Sequence, residues 1–274
     1  ISGSGCVYGG GASDYAAVTA IDLSSKSLTT NFNFLDEFVN LITLNLAENQ
    51  INSINYNSIN TSIETLLLRD NLLVETIVNL SNLLNLIEFS FANNEVASIV
   101  TTGLTQLKYV NISNCNLNSI DLSTNTSLET LAVFENNLTV LGIFSSVITL
   151  CAAQSNNLNS FSFVTLENMT QLYLHQNNLT NIDLSTLIKC TDLRLHANNL
   201  TDVNLSNAIK LTSVRLHDNQ LNAAVNSQIL IDLDSHGLSN GYFQSSIFGG
   251  GSLTTAGATA KANLQAKGWT IVGI

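Results

Sequence analysis

The chain has 274 residues, of which 45% are hydrophobic and 11% charged, which is ample apolar material for a sizeable buried core and too much for a disordered chain. Twenty acidic residues against nine basic ones give a net charge of -11; with no lysine- or arginine-rich segment, nucleic acid is not the expected partner. No uninterrupted apolar run approaches the roughly 18 residues of a membrane span, so direct membrane insertion is not expected either.

The start, Ile1 to Gly11, has neither a basic region nor a hydrophobic signal core. Its Gly3-Ser4-Gly5 and Gly9-Gly10-Gly11 runs read as a linker trimmed from a larger protein, and residues 1–17 are assigned to a linker and N-terminal cap. Proline is absent while Asn, Ser, Thr and Leu dominate. Corners must therefore be turned by Asn, Ser, Asp and Gly, at short intervals.

From Leu41 the chain repeats itself. Leu41 to Ile51 has the form LxxLxLxxNxL, and the pattern returns at Ile63, Leu86, Leu107, Leu128, Ile148, Met169, Cys190 and Leu211. The Asn-type position falls at Asn49, Asn71, Asn94, Cys115, Asn136, Asn156, Asn177, Asn198 and Asn219, so repeats are 20 to 23 residues long. These residues resemble the leucine-rich-repeat family from about Val18 to Leu238. The resemblance implies an α/β fold by convention that is dominated by strands: a right-handed solenoid with a parallel concave sheet, short turns on the convex side and a C-terminal helix-strand cap. A single repeat cannot bury its own apolar edge, and stacking merges those edges into one core. The Asn amide is placed to bond turn backbone in its own and the neighbouring repeat, and Cys115 takes that place once, as the family pattern permits.

Between the strands, Ile120-Asp-Leu-Ser123, Ile182-Asp-Leu-Ser185 and Val203-Asn-Leu-Ser206 alternate apolar and polar residues, which predicts short extended or turn structure rather than long helices. Repeats of this style look like those of bacterial surface proteins and phage proteins, which implies an extracellular, cell-surface or virion setting. The pattern degenerates at its ends: Lys26 holds the Asn site near the start and His236 near the finish, giving about 11 turns over residues 18–238. Residues 239–274 are read as a C-terminal cap. In it an alanine-rich helix from Thr255 to Lys267, closed by Gly268, leads to a strand at Trp269 to Val272, which is expected to lie beside a strand at Ile231 to Asp234. The ending resembles those of other bacterial and phage repeat proteins, placing Ile274 near a true C-terminus.

Cys115, Cys151 and Cys190 occupy inward consensus positions in separate repeats, which marks them as buried free thiols. Without a CxxC spacing they do not form a disulfide or zinc framework. Cys6, in the glycine-rich start, carries no assignment. The sequons at Asn111, Asn137, Asn178 and Asn199 are by-products of repeated NNLT turns.

The variable strand positions form columns on the exposed sheet face. In the C-terminal half one column runs Tyr173, Arg194, Arg215, Asp232 and the next His175, His196, His217, Asp234, with Asp192 and Asp218 beside them and Arg215 expected to pair with Asp232 and Asp234. Retention of solvated residues through repeat duplication accounts for such columns without any function. Otherwise the patch suits a glycan, a protein anchored by Tyr and Arg, or a metal shared by two imidazoles about 4.8 Å apart. No cofactor or dedicated metal motif is read. The residues therefore point to a non-catalytic recognition or adhesion module for a protein or glycan on a host or neighbouring surface. The alternatives are a structural part of a virion or surface assembly that meets its assembly partners, and a metal-binding or enzymatic site on the concave face; the enzyme is the weakest class, since no nucleophile elbow or phosphate loop is present.

Overall fold

The computed structural model describes residues 15–29 and 35–274; Cys6 and most of the expected N-terminal linker lie outside them. Contacts divide the chain into two compact units, Ile1–Leu128 and Glu129–Ile274.

The first unit carries β1 (Ala20–Asp22), β2 (Thr43–Asn45), β3 (Thr65–Leu67), β4 (Val74–Glu75), β5 (Val78–Asn79), β6 (Glu88–Ser90), β7 (Glu95–Val96), β8 (Ile99–Val100) and β9 (Tyr109–Asn111). Strands β1, β2, β3, β6 and β9 pair in that order, all parallel. On the opposite side β4 pairs with β7 and β5 with β8. The middle residue of each main strand from β2 to β9 points inward: Leu44, Leu66, Phe89 and Val110 are all at most 2% exposed. The Phe89 and Phe91 rings meet edge to face at 5.9 Å.

The second unit carries β10 (Thr130–Ala132), β11 (Val140–Ile143), β12 (Leu150–Ala152), β13 (Ser160–Phe163), β14 (Gln171–Tyr173), β15 (Asp192–Arg194), β16 (Ser213–Arg215), then helix α1 (Ala223–Ser235), β17 (Tyr242–Gln244), helix α2 (Thr255–Ala266) and β18 (Thr270–Val272). Its sheet runs β10-β12-β14-β15-β16-β17-β18, all parallel, with β11 and β13 paired behind it. Leu131, Cys151, Leu172, Leu193, Val214 and Phe243 fill the inner positions.

The main-sheet strands from β2 to β16 exit alike. The residue before each ladder position is left-handed although it is never glycine: φ lies between 53° and 60° at Glu48, Asp70, Asn93, Asn114, Glu135, Ser155, Gln176, Ala197 and Asp218. Such a residue bends the chain out of the strand, and for an L-residue the conformation is costly. At the bend the ladder side chain bonds backbone carbonyls of its own repeat and of the one before. Asn177 is representative. Its Nδ2 donates to Leu174 O (3.0 Å) and His175 O (3.3 Å) in its own repeat and to Ala153 O (3.0 Å) in the one before, while its Oδ1 accepts from Leu158 N at 2.9 Å. Asn198 and Asn219 repeat the arrangement one and two turns on. Cys115 takes over the donor half, its Sγ donating to Phe91 O and Ser113 O, while Val96 N in the preceding repeat bonds the Cys115 backbone carbonyl at 2.8 Å. Behind the sheet the IDLS-type segments are Asx turns, in which Asp121, Asp183 and Asn204 accept from the backbone of Ser123, Ser185 and Ser206.

The last turn departs from the sequence expectation. Ile231 to Asp234 is not a strand, and His236 is not a ladder residue; they belong to α1 and its C-cap. Asn222 starts this helix by accepting from Ala224 N (2.9 Å) and Val225 N (3.1 Å), a geometry in which Ala223-Ala224 and the apolar run Ile229 to Leu233 pack as helix. The sheet instead resumes at β17, so β18 pairs with Tyr242–Gln244. The expected cap helix is present as α2, and Trp269 locks it by donating Nε1–H to Leu238 O at 2.9 Å.

Removing the ladder amide in Asn177→Ala leaves the Leu158 N–H without its acceptor and takes one of two hydrogen bonds from each of the Leu174, His175 and Ala153 carbonyls. The expected loss is about 1–3 kcal/mol in urea unfolding, and an unchanged midpoint contradicts the ladder's role. Gly257 tests the cap: a Cβ there would stand 2.5 Å from Ser227 Cβ on α1. Gly257→Ala is therefore expected to lower stability by about 1–3 kcal/mol through overpacking, read as a drop in melting temperature.

Candidate functional site

The strand register sets the candidate site. Pairing of β14, β15, β16 and β17 aligns Tyr173, Arg194, Arg215 and Gln244 in one column, and Gln171, Asp192, Ser213 and Tyr242 in the column beside it. Because Leu172, Leu193, Val214 and Phe243 between them point into the core, both columns stand on the outer face.

Asp192 is the hub of this face. Arg194 grips it through Nη2 (2.7 Å) and Nε (3.1 Å to the same oxygen), Tyr173 donates its hydroxyl to it at 3.0 Å, and Arg215 Nη1 lies 3.6 Å away. The carboxylate side chain is 15% exposed against 36% for Arg194 and 30% for Arg215, so the anion sits beneath two cations that face outward. Burial alone pushes the Asp192 carboxyl up, but hydrogen bonds from Arg194, Ser213 and Tyr173 and the charge of Arg194 outweigh it and hold it below its ordinary value. Burial and the bond to Asp192 raise the Tyr173 phenol. Each guanidinium also covers a tyrosine, Arg194 over Tyr173 at 4.3 Å and Arg215 over Tyr242 at 5.0 Å.

The histidines form a stack. The His175 and His196 rings are 4.3 Å apart at 14°, and those of His196 and His217 4.5 Å apart at 12°. Each Nδ1 is buried without a hydrogen-bond partner, as is Oε1 of Gln154, which precedes them in the column. Burial first, and then neighbouring positive charge, pushes His175 and His196 down to about 4, so both are neutral at pH 7. Rings stacked face to face direct their nitrogen lone pairs in parallel, and a metal bound by two imidazoles needs them to converge. No cluster of three or more His, Cys, Asp or Glu side chains arranged to hold a metal occurs among the described residues.

Six of the eight residues singled out in sequence thus come together: Tyr173, His175, Arg194, His196, Arg215 and His217. Asp232 and Asp234 do not. Both lie on α1, where Asp232 is buried and accepts from Gln228 (2.9 Å), and Asp234 pairs with Lys267 (2.6 Å) and Asn263 (2.8 Å). The expected pairing of Arg215 with them is replaced by its contact with Asp192, because the helix removes both aspartates from the sheet. Tyr242 was missed. The alternation Tyr242-Phe243-Gln244 carried the signal, but the segment Ile231 to Asp234 took the strand's place. Cys115, Cys151 and Cys190 are buried and free, and burial raises them to about 11, 12 and 12 respectively, so they are unreactive thiols.

No protein-family model and no curated protein matches the sequence. Solved structures do. The functional domain of InlJ from Listeria monocytogenes, which includes a cysteine ladder, superposes with a TM-score of 0.73 at 21% identity, over 86% of this chain and 51% of that one. The leucine-rich-repeat domain of APL1B superposes at 0.64 with 20% identity, over 86% and 71% of the two chains, and a chain of the LRIM1/APL1C complex at 0.65 with 19% identity, over 91% and 55%. The fold is a leucine-rich-repeat solenoid. This chain spans about half the length of the InlJ chain, and its own ladder is made of asparagine with a single cysteine rung at Cys115.

In this leucine-rich-repeat face Asp192 compensates two cations, so Asp192→Asn is expected to cost on the order of 1–2 kcal/mol at pH 7, charge-assisted bonds being lost at a partly solvated site. The folded carboxyl is held below its ordinary value, so its contribution is present above pH 3.8 and lost as the pH falls further. Denaturant unfolding should show the gap between variant and wild type closing in acid; a gap that widens there contradicts the assignment.

Proposed function

We propose that this protein is a non-catalytic recognition module, working on a cell or virion surface, that binds a protein partner through the outer face of β14 to β17. The observation that carries this reading is the Asp192 hub, which holds Arg194 and Tyr173 at hydrogen-bond distance and Arg215 close by before any partner arrives. Arg and Tyr are the residues that most often anchor protein interfaces, and side chains already fixed lose little entropy on binding. An extracellular setting rests on the style of the repeats alone.

A protein ligand suits the face better than a glycan. Sugar binding by stacking uses a free aromatic face, and Tyr173 and Tyr242 each already have a guanidinium over the ring. Against an enzyme stands the way the titratable groups are used: Asp192 is committed to three hydrogen-bond or ion-pair partners, and His175 and His196 to each other.

The test is biolayer interferometry of the purified chain against arrayed extracellular protein domains, with a glycan array in parallel. Arg194→Ala combined with Arg215→Ala is expected to weaken a protein contact about 100-fold, two anchors at somewhat over 1 kcal/mol each. Equal binding by the double variant overturns the site. Binding only to copies of itself, seen by sedimentation, identifies a structural assembly component instead, and binding confined to glycans overturns the choice of partner.

A further inference from the structure

The histidine column is the feature of this face that the arginine anchors leave unexplained. Three imidazoles from three successive repeats are stacked in contact, and the nitrogen on the inner side of each, Nδ1, is sealed from solvent with no acceptor to receive a proton. A buried N–H without an acceptor costs more than a buried lone pair, particularly when the ring is cationic. His175 and His196 are thereby held as neutral tautomers with the hydrogen on Nε2. Protonation has to place N–H at the sealed nitrogen, and a second charge then stands one ring-stacking distance from the first.

The charged groups around the stack reinforce this. On the adjacent column Arg194 and Arg215 oppose any added positive charge, and Asp192, which favours it at His175, is occupied by those arginines. Beyond the last ring Asp218 Oδ2 lies 3.9 Å from His217 Nε2. Gln154 before His175, Ser246 beyond His217, and Gln176 and Ala197 at the turns are uncharged, and Tyr173 is a neutral phenol raised further by burial. Behind the strands stand Leu174, Leu195 and Leu216, fully buried.

We infer that the His175-His196-His217 stack is an acid-sensitive element of the recognition face: stacked near pH 7 with His175 and His196 neutral, it takes up protons at those two rings and separates on acidification, putting new positive charge beside Arg194 and Arg215. Its significance for binding rests on the recognition reading above; the stack itself does not. The consequence is a face that keeps one form at neutral pH and is remodelled in an acidic compartment or medium.

The test separates the two. Long-range 1H–15N NMR of the purified chain from pH 8 to pH 3.5 is expected to show His175 and His196 as Nε2–H tautomers at pH 6, titrating only near pH 4, with backbone shifts in β14 and β15 moving in step. In His196→Gln, where the stack is interrupted, His175 should titrate at least half a pH unit higher. Thermal melting gives a second reading. At His175 and His196 the unfolded chain takes up protons from about pH 6.5 downward and the folded rings only near 4, so the stability these two contribute, present above pH 6.5, is lost as the pH falls between these values. The wild type should therefore lose more melting temperature between pH 7 and pH 4.5 than a variant with all three histidines replaced by Gln. Titration of His175 and His196 near 6.5 with mixed tautomers, or a triple variant with the same pH dependence as the wild type, overturns the inference. A stack that titrates as expected in a chain whose Arg194→Ala, Arg215→Ala variant binds unchanged supports the acid response and overturns only the recognition reading.

Discussion

One left-handed residue per repeat governs this molecule. To leave a strand and start the return path within about 20 residues the chain must bend sharply, and with no proline and few glycines it bends at Glu, Asp, Asn, Ser, Gln or Ala with φ near 55°. At that bend the ladder asparagine bonds the carbonyls of the repeat's last inward residue and its neighbour and also reaches back to the previous repeat, so each ladder side chain fastens two turns together. Position nine of the motif is therefore inseparable from the strain at position eight. Cysteine serves once because a thiol can donate to the same carbonyls, though it offers no comparable acceptor for the backbone N–H one repeat earlier.

The ladder also builds the site. Its amides bond the backbone carbonyls of His175, His196 and His217 themselves, at 3.3 to 3.5 Å, so the backbone that carries the stack is held by the side chains that hold the turns. Strand spacing then forces residues at equivalent positions into contact. A column cannot ignore its neighbours: whatever duplication places there must tolerate its own kind at about 4.8 Å.

Much of this was legible in the sequence because it is local and repeated. The period, the inward leucines, the ladder with its cysteine rung and the composition of the columns from Tyr173 to His217 all follow from pattern, since each repeat is checked by the ones around it. The failures lie where that check ends. Residues Ile231 to Asp234 match the spacing of a strand, but Asn222 offers a helix cap just upstream, and beyond Leu221 no further repeat constrains the chain. A strand at those residues puts Asp232 and Asp234 on the sheet and leaves no place there for Tyr242. The hub escaped for another reason: Asp192 was visible as a neighbour, but whether it serves Arg194, Arg215 or solvent depends on side-chain reach across strands, which spacing does not encode.

The face shows two answers to a single electrostatic problem. Two like charges 4 Å apart oppose each other by roughly 4 kcal/mol at an effective dielectric of 20, and columns of basic residues on adjacent strands come that close. The arginine column keeps its charge and pulls Asp192 from the adjoining column between its two members, with a tyrosine under each guanidinium. In the histidine column His175 and His196 give up their charge and gain stacking. Lysine could do neither as well, having no plane to stack and a point charge in place of a fork. On the proposed reading the first answer yields anchors whose geometry is set before binding, and the second a surface whose charge depends on pH. Placing them side by side would then couple them, because each proton added to His175 or His196 raises the demand on the single carboxylate that restrains Arg194 and Arg215, and acidification would act on the anchors through Asp192 without titrating them.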